Sequence, residues 1–325
     1  MVKIGITIGD PAGIGPELIV RLTEHFDKDK AYIIYGEGKV LKACARELGR
    51  SFEADLINSP EEAKNPGVYL IDLNVCEVEK PEPSFTSGKV AVAYLGRVAV
   101  DAVHGKIDGL ITMPINKFWA RLVGFSYEGQ TEFLVQAFGV RKYAMLMYSE
   151  KIKVALLSTH LSLKEAIEKV TKQNIVSKVK LIAEEYERWF GVNSTIGILG
   201  LNPHAGEGGT IGEEEVKEIM PAVEELKAEG YRVEGPLPPD SAFLRRDLDL
   251  FFCMYHDQGL IPFKLLAFKE GVNMTLGIPF PRTSPDHGTA YDIAWKGIAD
   301  LSPSLHALKL CEKLATVKKT SQKQS

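Results

Sequence analysis

Residues 253–297 read CMYHDQGLIPFKLLAFKEGVNMTLGIPFPRTSPDHGTAYDIAWKG. The stretch sets two histidines beside carboxylates, His256-Asp257 and Asp286-His287, and adds Lys264, Asn273 and Arg282. A plain core segment would show apolar periodicity. Here glycines and prolines punctuate short apolar runs instead. Polar groups gathered at the ends of such runs are how an α/β enzyme lines a cleft. Any one of these residues alone reads better as a satisfied polar group in a loop; the set does not.

Working outward, the chain alternates strand and helix patterns. Residues 3–8 are alternating and β-branched, and they end in Gly9-Asp10-Pro11-Ala12-Gly13-Ile14-Gly15-Pro16-Glu17. Pro16 suits the first turn of a helix, and Glu17 its positive end. The loop is neither GxGxxG nor a P-loop. It reads as a tight turn, or as backbone amides and Asp10 facing a cleft at a strand's carboxyl end. Further strands are expected at 31–35, 68–72, 110–112, 143–148, 153–157, 195–199 and 250–254. Helices are expected at 37–48, 87–104, 163–170, 174–190 and 213–229, and near 290–298 and 303–314. Such alternation gives a parallel sheet in an α/β fold. Residues 236–240 read as a loop, and the tail after Val317 as disordered. Lys117 starts a helix. Thr131 caps another that runs to Phe138, where a hydroxyl can also hold phosphate or carboxylate.

The 325 residues suffice for two domains, and the 45% hydrophobic and 25% charged content is ordinary. A net charge of −4 argues against a general nucleic-acid binder. Cys44, Cys76, Cys253 and Cys311 form no CxxC pair and read as reduced thiols. The N-terminus enters a strand pattern with no apolar signal core, and no apolar run approaches the roughly 20 residues of a membrane span. The expected location is the cytoplasm.

His160, His204 and His256 each fall just past an expected strand. Parallel strands bring their carboxyl ends to one edge, so three imidazoles there can converge on one divalent metal. No local spacing such as HExxH adds to this; three matching positions do. The metal would lower the pKa of a substrate hydroxyl and polarise the carbonyl that forms. Lys264 and Arg282 can neutralise phosphate and carboxylate groups. Asp240 and Asp257 can orient a ligand histidine or take part in proton transfer, though Asp257 reads better as a surface ion pair.

GDPAGIGPE, TMPINK, GQTEF, STHLSL, LNPHAGE, GPLPPD, MYHDQGLIPFK and GVNMTLGIPFPRTSPDHGTAYDIAWKG together resemble the PdxA family of 4-hydroxythreonine-4-phosphate dehydrogenases of vitamin B6 biosynthesis. The match runs in order from Ile4 to about Leu314. It implies the fold of isocitrate and isopropylmalate dehydrogenases: two α/β/α domains with a cleft between them, residues 1–125 with 268–325 on the cofactor side and 126–267 on the metal and dimer side. It implies a homodimer whose active site takes residues from both subunits. His160, His204 and His256 correspond to metal ligands for zinc, magnesium or cobalt. Gln130, Thr131, Lys264, Asn273 and Arg282 fall on the substrate side, and Asp240 and Lys264 are the catalytic candidates. His287, Gly288, Thr289 and Asp292 lie in the segment similar to the cofactor loop for NAD or NADP.

The implied reaction oxidises the C3 hydroxyl of 4-phosphooxy-L-threonine, and decarboxylation then gives 3-amino-2-oxopropyl phosphate. One departure stands out: many members carry histidine where this chain has Gln130, which can donate a hydrogen bond but carries no charge. The rival readings are a sibling dehydrogenase of threonate or erythronate 4-phosphate, an acyl-phosphate transferase of related fold, and a non-catalytic phosphate- or metal-binding protein.

Overall fold

The computed structural model describes residues 1–75 and 80–324, with side chains through residue 320. Cys76 lies outside the described residues. Cys44, Cys253 and Cys311 are buried free thiols, and burial raises the pKa of each. The chain forms two compact units, Met1–Val140 with Pro279–Ser325, and Arg141–Ile278. Gln130 and Thr131 therefore lie in the first unit and Asn273 in the second.

In chain order the first unit begins β1 (Lys3–Thr7), α1 (Gly15–Leu22), β2 (Ala31–Gly36), α2 (Gly38–Glu47), β3 (Asp55–Leu56), β4 (Gly67–Asp72), α3 (Phe85–Val103), β5 (Gly109–Thr112), α4 (Lys117–Leu122) and α5 (Gln130–Ala137). The second unit holds β6 (Ala144–Tyr148), β7 (Lys153–Leu156), α6 (Leu163–Glu168), α7 (Lys172–Phe190), β8 (Ile196–Leu199), α8 (Met220–Ala228), β9 (Val233–Leu237), α9 (Pro239–Ala242), β10 (Leu250–Cys253), α10 (His256–Ala267) and β11 (Val272–Leu276). The chain then completes the first unit with β12 (Arg282–Pro285) and α11 (Ser302–Gln324).

The strands of the first unit run in the order β3-β4-β2-β1-β5-β12, and every pairing is parallel. Their composition explains this. The β2 strand, AYIIYG, is buried at all six positions, as strands covered on both faces must be. Ile33, Tyr35, Leu95, Val98, Ile107 and Leu110 share one core cluster on a sheet face. In the second unit the order is β11-β6-β7-β10-β8-β9. There β11, β6 and β7 pair antiparallel, while β7, β10, β8 and β9 run parallel. Met147, Val154, Leu156, Phe251 and Phe263 form its core.

Several expectations change. Residues 256–267 form a helix although they contain Gly259 and Pro262. Gly259 is needed there, because a Cβ would stand 2.5 Å from Val154 Cγ1. The segment 233–237, partly read as loop, is a strand. Thr131 is not the cap of α5: Gly129 holds that position and Thr131 sits in the first turn. Near 290–298 only a short 3-10 turn forms, Tyr291–Ile293. The backbone of α11 stays helical to Gln324, so the tail expected to be disordered extends that helix. Lys319, within it, bonds Asp108 at 3.0 and 3.1 Å.

The loop after β1 is shaped by close approach. Gly9 takes a left-handed φ of 69°, and a Cβ on Gly15 would stand 1.9 Å from the Ile8 carbonyl oxygen. Backbone cannot yield to such a contact. Gly15→Ala is expected to lower stability by about 1–3 kcal/mol or more, read as a lower urea midpoint; an unchanged midpoint would contradict the packing.

Candidate active site

Carboxyl ends of parallel strands collect the polar groups of the first unit. After β5, the Pro114 carbonyl accepts the Asp10 N–H at 2.9 Å. Ile14 N–H donates to the Thr289 carbonyl at 2.9 Å, so the loop after β1 also rests on the segment after β12. Asp10 is fully buried. Its carboxylate accepts from Ala12 N–H at 2.9 Å, from Tyr291 Oη at 2.6 Å and more weakly from Ser87 Oγ at 3.5 Å. Burial pushes its pKa up, and the three donors partly offset this. Asp10 therefore closes a turn and does not face open solvent, which corrects the cleft-facing reading.

Arg282 opens β12 with 2% of its surface exposed. It donates to Thr131 Oγ1 at 3.0 Å and to Thr112 Oγ1 at 2.6 Å. Desolvation lowers the guanidinium pKa to about 10, with Glu132 acting in the opposite sense. It still carries its charge at neutral pH, so the first unit holds a fixed cation bracketed by two hydroxyls. Gln130, in the same turn as Thr131, donates through Nε2 to the Met113 carbonyl at 3.0 Å. That bond fixes the amide, leaving Oε1 as a buried acceptor without a hydrogen-bond partner. Lys117 is exposed at the start of α4.

The segment expected to hold a cofactor lies in the same unit. Gly288 is exposed, and nothing lies within 4 Å of where its Cβ would stand. The backbone is thus open to close approach there. Thr289 is buried, Asp292 is exposed, and Ala290 takes a left-handed φ of 43°. His287 Nε2 is 3.5 Å from Ser304 Oγ, and burial lowers its pKa.

The second unit carries the three histidines at the carboxyl ends of neighbouring strands, His160 after β7, His256 after β10 and His204 after β8. The rings of His160 and His256 have centroids 6.0 Å apart. An imidazole centroid stands about 3.2 Å from a metal on its nitrogen, so two on one tetrahedral ion have centroids about 5.2 Å apart, closer than these two rings. His256 Nδ1 is 2.7 Å from Asp257 Oδ1. A proton on Nδ1 shared with that carboxylate leaves Nε2 as the coordinating atom. Asp257 is 70% exposed and His256 39%, so the contact is the surface ion pair expected of Asp257. Among the described residues no three His, Cys, Asp or Glu side chains stand together as an ion requires.

His204 belongs to a left-handed turn. Residues His204, Ala205 and Glu207 take φ of 53°, 52° and 42°, positions unfavourable for side-chain-bearing residues. Buried Glu215 secures the turn's base. Its Oε1 accepts from Leu201 and Asn202 N–H, both at 2.7 Å, and its Oε2 from Asn202 Nδ2 at 2.9 Å. Nothing in the sequence marked Glu215, which lies within a charged helical pattern. Asp240 is exposed in α9, a helix that packs on this turn. Lys264 is exposed on α10, eight residues beyond His256. Asn273 sits on β11, its Nδ2 3.3 Å from Met145 Sδ.

Comparison with known proteins gives a consistent result. The family described as Pyridoxal phosphate biosynthetic protein PdxA matches residues 28–311. The 4-hydroxythreonine-4-phosphate dehydrogenase of Aquifex aeolicus is 60% identical over 96% of this chain and 98% of its own length. The D-threonate 4-phosphate dehydrogenase of Pectobacterium atrosepticum is 35% identical over 96% of this chain and 99% of its own. The crystal structure of 4-hydroxythreonine-4-phosphate dehydrogenase from Klebsiella pneumoniae is similar with a TM-score of 0.86 at 35% identity, covering 97% of this chain and 98% of that one.

His287 gives this site a pH signature. Unfolded, it titrates near 6.5; folded, burial holds its pKa lower. Its contribution to stability is fully present above 6.5 and is lost as pH falls through the folded value, because the unfolded chain takes the proton first. His287→Gln should flatten the loss of urea stability as pH falls below 6.5; a profile parallel to the unsubstituted protein's would contradict this.

Proposed function

The chain belongs to the PdxA family of pyridoxal phosphate biosynthetic proteins, and from that premise we propose that it oxidises 4-phosphooxy-L-threonine at C3. Hydride passes to the nicotinamide of NAD or NADP, and the hydroxyl proton leaves. The resulting β-keto acid loses carbon dioxide to give 3-amino-2-oxopropyl phosphate. This is a step in forming pyridoxine 5′-phosphate, carried out in the cytoplasm. No helix among the described residues is long and apolar enough to cross a membrane.

The observation that supports this reading most is the buried Arg282 cation with Thr131 beside it. A guanidinium already desolvated gains strongly from an anionic oxygen, because little water must be displaced from it. Arg282, Thr131 and Gln130 bind the phosphorylated substrate, together with Lys264 and Asn273. Gln130, with Nε2 committed to Met113, offers an acceptor and so meets a donor group of the substrate. A divalent ion, zinc, magnesium or cobalt, would be held by His160, His204 and His256 and would supply a Lewis acid for an alcohol that must lose its proton, which requires the three side chains to come closer than they stand in the structure. Asp257 holds the His256 ring in the tautomer such coordination needs. Asp240 and Lys264 move the protons. His287, Gly288, Thr289 and Asp292 bind the nucleotide.

The protein acts as a homodimer whose site takes residues from both subunits. Along α10 and just past it, Ile261, Leu265 and Phe268 form a stripe at i, i+4 and i+7, with 61%, 81% and 67% of their surfaces exposed. A stripe this apolar on the helix bearing His256 and Lys264 suits a second copy of the chain. Leu265→Asp is expected to yield a monomer in sedimentation that has lost activity; a fully active monomer would remove the shared site.

The reaction is tested by absorbance at 340 nm with 4-phosphooxy-L-threonine, NAD or NADP and added divalent metal, beside threonate and erythronate 4-phosphates. Nucleotide reduction with the threonine phosphate, abolished by chelation, is the expected result. Turnover of a sibling acid alone would move the protein to that substrate. No turnover of any of them would favour the transferase or binding readings. His256→Ala is expected to lose metal and activity together, and a fully active variant would remove that ligand assignment.

A further inference from the structure

We propose that Asp10 is a positioning residue for nucleotide binding, acting through Tyr291 on the segment that carries His287, Gly288, Thr289 and Asp292. The inference rests on the reading of that segment as the nucleotide site. Asp10 and Tyr291 are 281 residues apart in sequence, yet their side chains meet at 2.6 Å. The Thr289 and Asn116 side chains act on the Tyr291 hydroxyl as well, in the sense that lowers its pKa. One phenol thus joins the loop after β1 to the segment after β12. The backbone repeats the connection, with Ile14 N–H on the Thr289 carbonyl and a Gly13 Cβ position only 2.8 Å from that same oxygen.

The segment needs such a restraint. Ala290 is held in the left-handed region between Thr289 and Tyr291, a conformation an alanine does not keep unaided. Only a three-residue 3-10 turn follows. The Asp10 end of the bond cannot shift, since its carboxylate is fully buried and also closes its own turn through Ala12 N–H. A carboxylate accepting from a phenol at this distance makes a charge-assisted bond, among the stronger neutral-donor contacts. The latch fixes where the backbone around exposed Gly288 stands before any ligand arrives, so the nucleotide does not bear the cost of ordering it.

An asparagine at position 10 can keep every partner. Its oxygen accepts from Ala12 N–H, and its amide donates to Tyr291 Oη and Ser87 Oγ. Calorimetric titration of the full-length protein with NAD and NADP therefore separates the roles. Tyr291→Phe is expected to weaken nucleotide binding about tenfold and to raise the nucleotide KM in step, with kcat and the KM for the phosphorylated substrate within about twofold. Asp10→Asn should bind as the unsubstituted protein does, and Asp10→Ala as Tyr291→Phe does. Should Asp10→Ala fail to fold, Tyr291→Phe decides alone. Gly288→Val, which places a side chain where the nucleotide would lie, is the control. If it abolishes binding while Tyr291→Phe leaves affinity unchanged, or if Tyr291→Phe shifts both KM values equally, the latch is overturned. If neither variant alters nucleotide binding, the nucleotide lies elsewhere and the latch falls with that site.

Discussion

A buried cation, Arg282, constrains the first unit. Arg282 enters the interior at the start of β12, where desolvating a guanidinium costs several kcal/mol. The fold offsets this with two hydroxyls from different elements, Thr112 at the end of β5 and Thr131 in the first turn of α5, and with the nearby charge of Glu132. Those bonds require α5 to begin beside the ends of β5 and β12. The same turn brings Gln130 to the Met113 carbonyl. The parallel register of β5 and β12, Arg282 against Leu110, sets the origin of the side chain. A cation held this rigidly, its hydration already lost, is a ready counter-charge for a phosphate or carboxylate.

The second unit solves a different problem. Three parallel strands deliver histidines to one edge, but only two rings approach each other. The third projects from a left-handed turn whose conformation is locally unfavourable and is secured by Glu215 beneath it. Rigidity therefore comes from buried carboxylates in both units: Asp10 bridging loops in one, Glu215 anchoring a turn in the other. Both rely on backbone N–H and neutral side-chain donors, which suit fixing a loop better than binding a counter-ion.

Much of this was legible in sequence. Buried strands such as 31–36 announce themselves as apolar runs, and the repeated pattern of strand, turn and histidine placed His160, His204 and His256 at strand ends. What resisted reading was set by tertiary contact. Gly259 and Pro262 argue against a helix at 256–267, yet Gly259 is the residue that lets α10 lie against Val154 on β7. Thr131 looked like a cap, but Gly129, extended and without a side chain, begins α5, and the threonine hydroxyl turns to Arg282 instead. Contacts spanning most of the chain, Asp10 with Tyr291 and Thr112 with Arg282, leave no periodic trace. The distances among the histidines likewise follow from loop geometry that local propensity does not encode.

As proposed, Arg282 is the preorganised counter-charge for the substrate. Calorimetric titration of 4-phosphooxy-L-threonine into Arg282→Gln and the unsubstituted protein tests it most directly, with circular dichroism and urea midpoints confirming that the variant folds. Loss of a buried charged partner is expected to weaken binding at least about thirtyfold, with nucleotide affinity unchanged. Equal substrate affinity in a folded Arg282→Gln protein would show that this cation serves the fold alone.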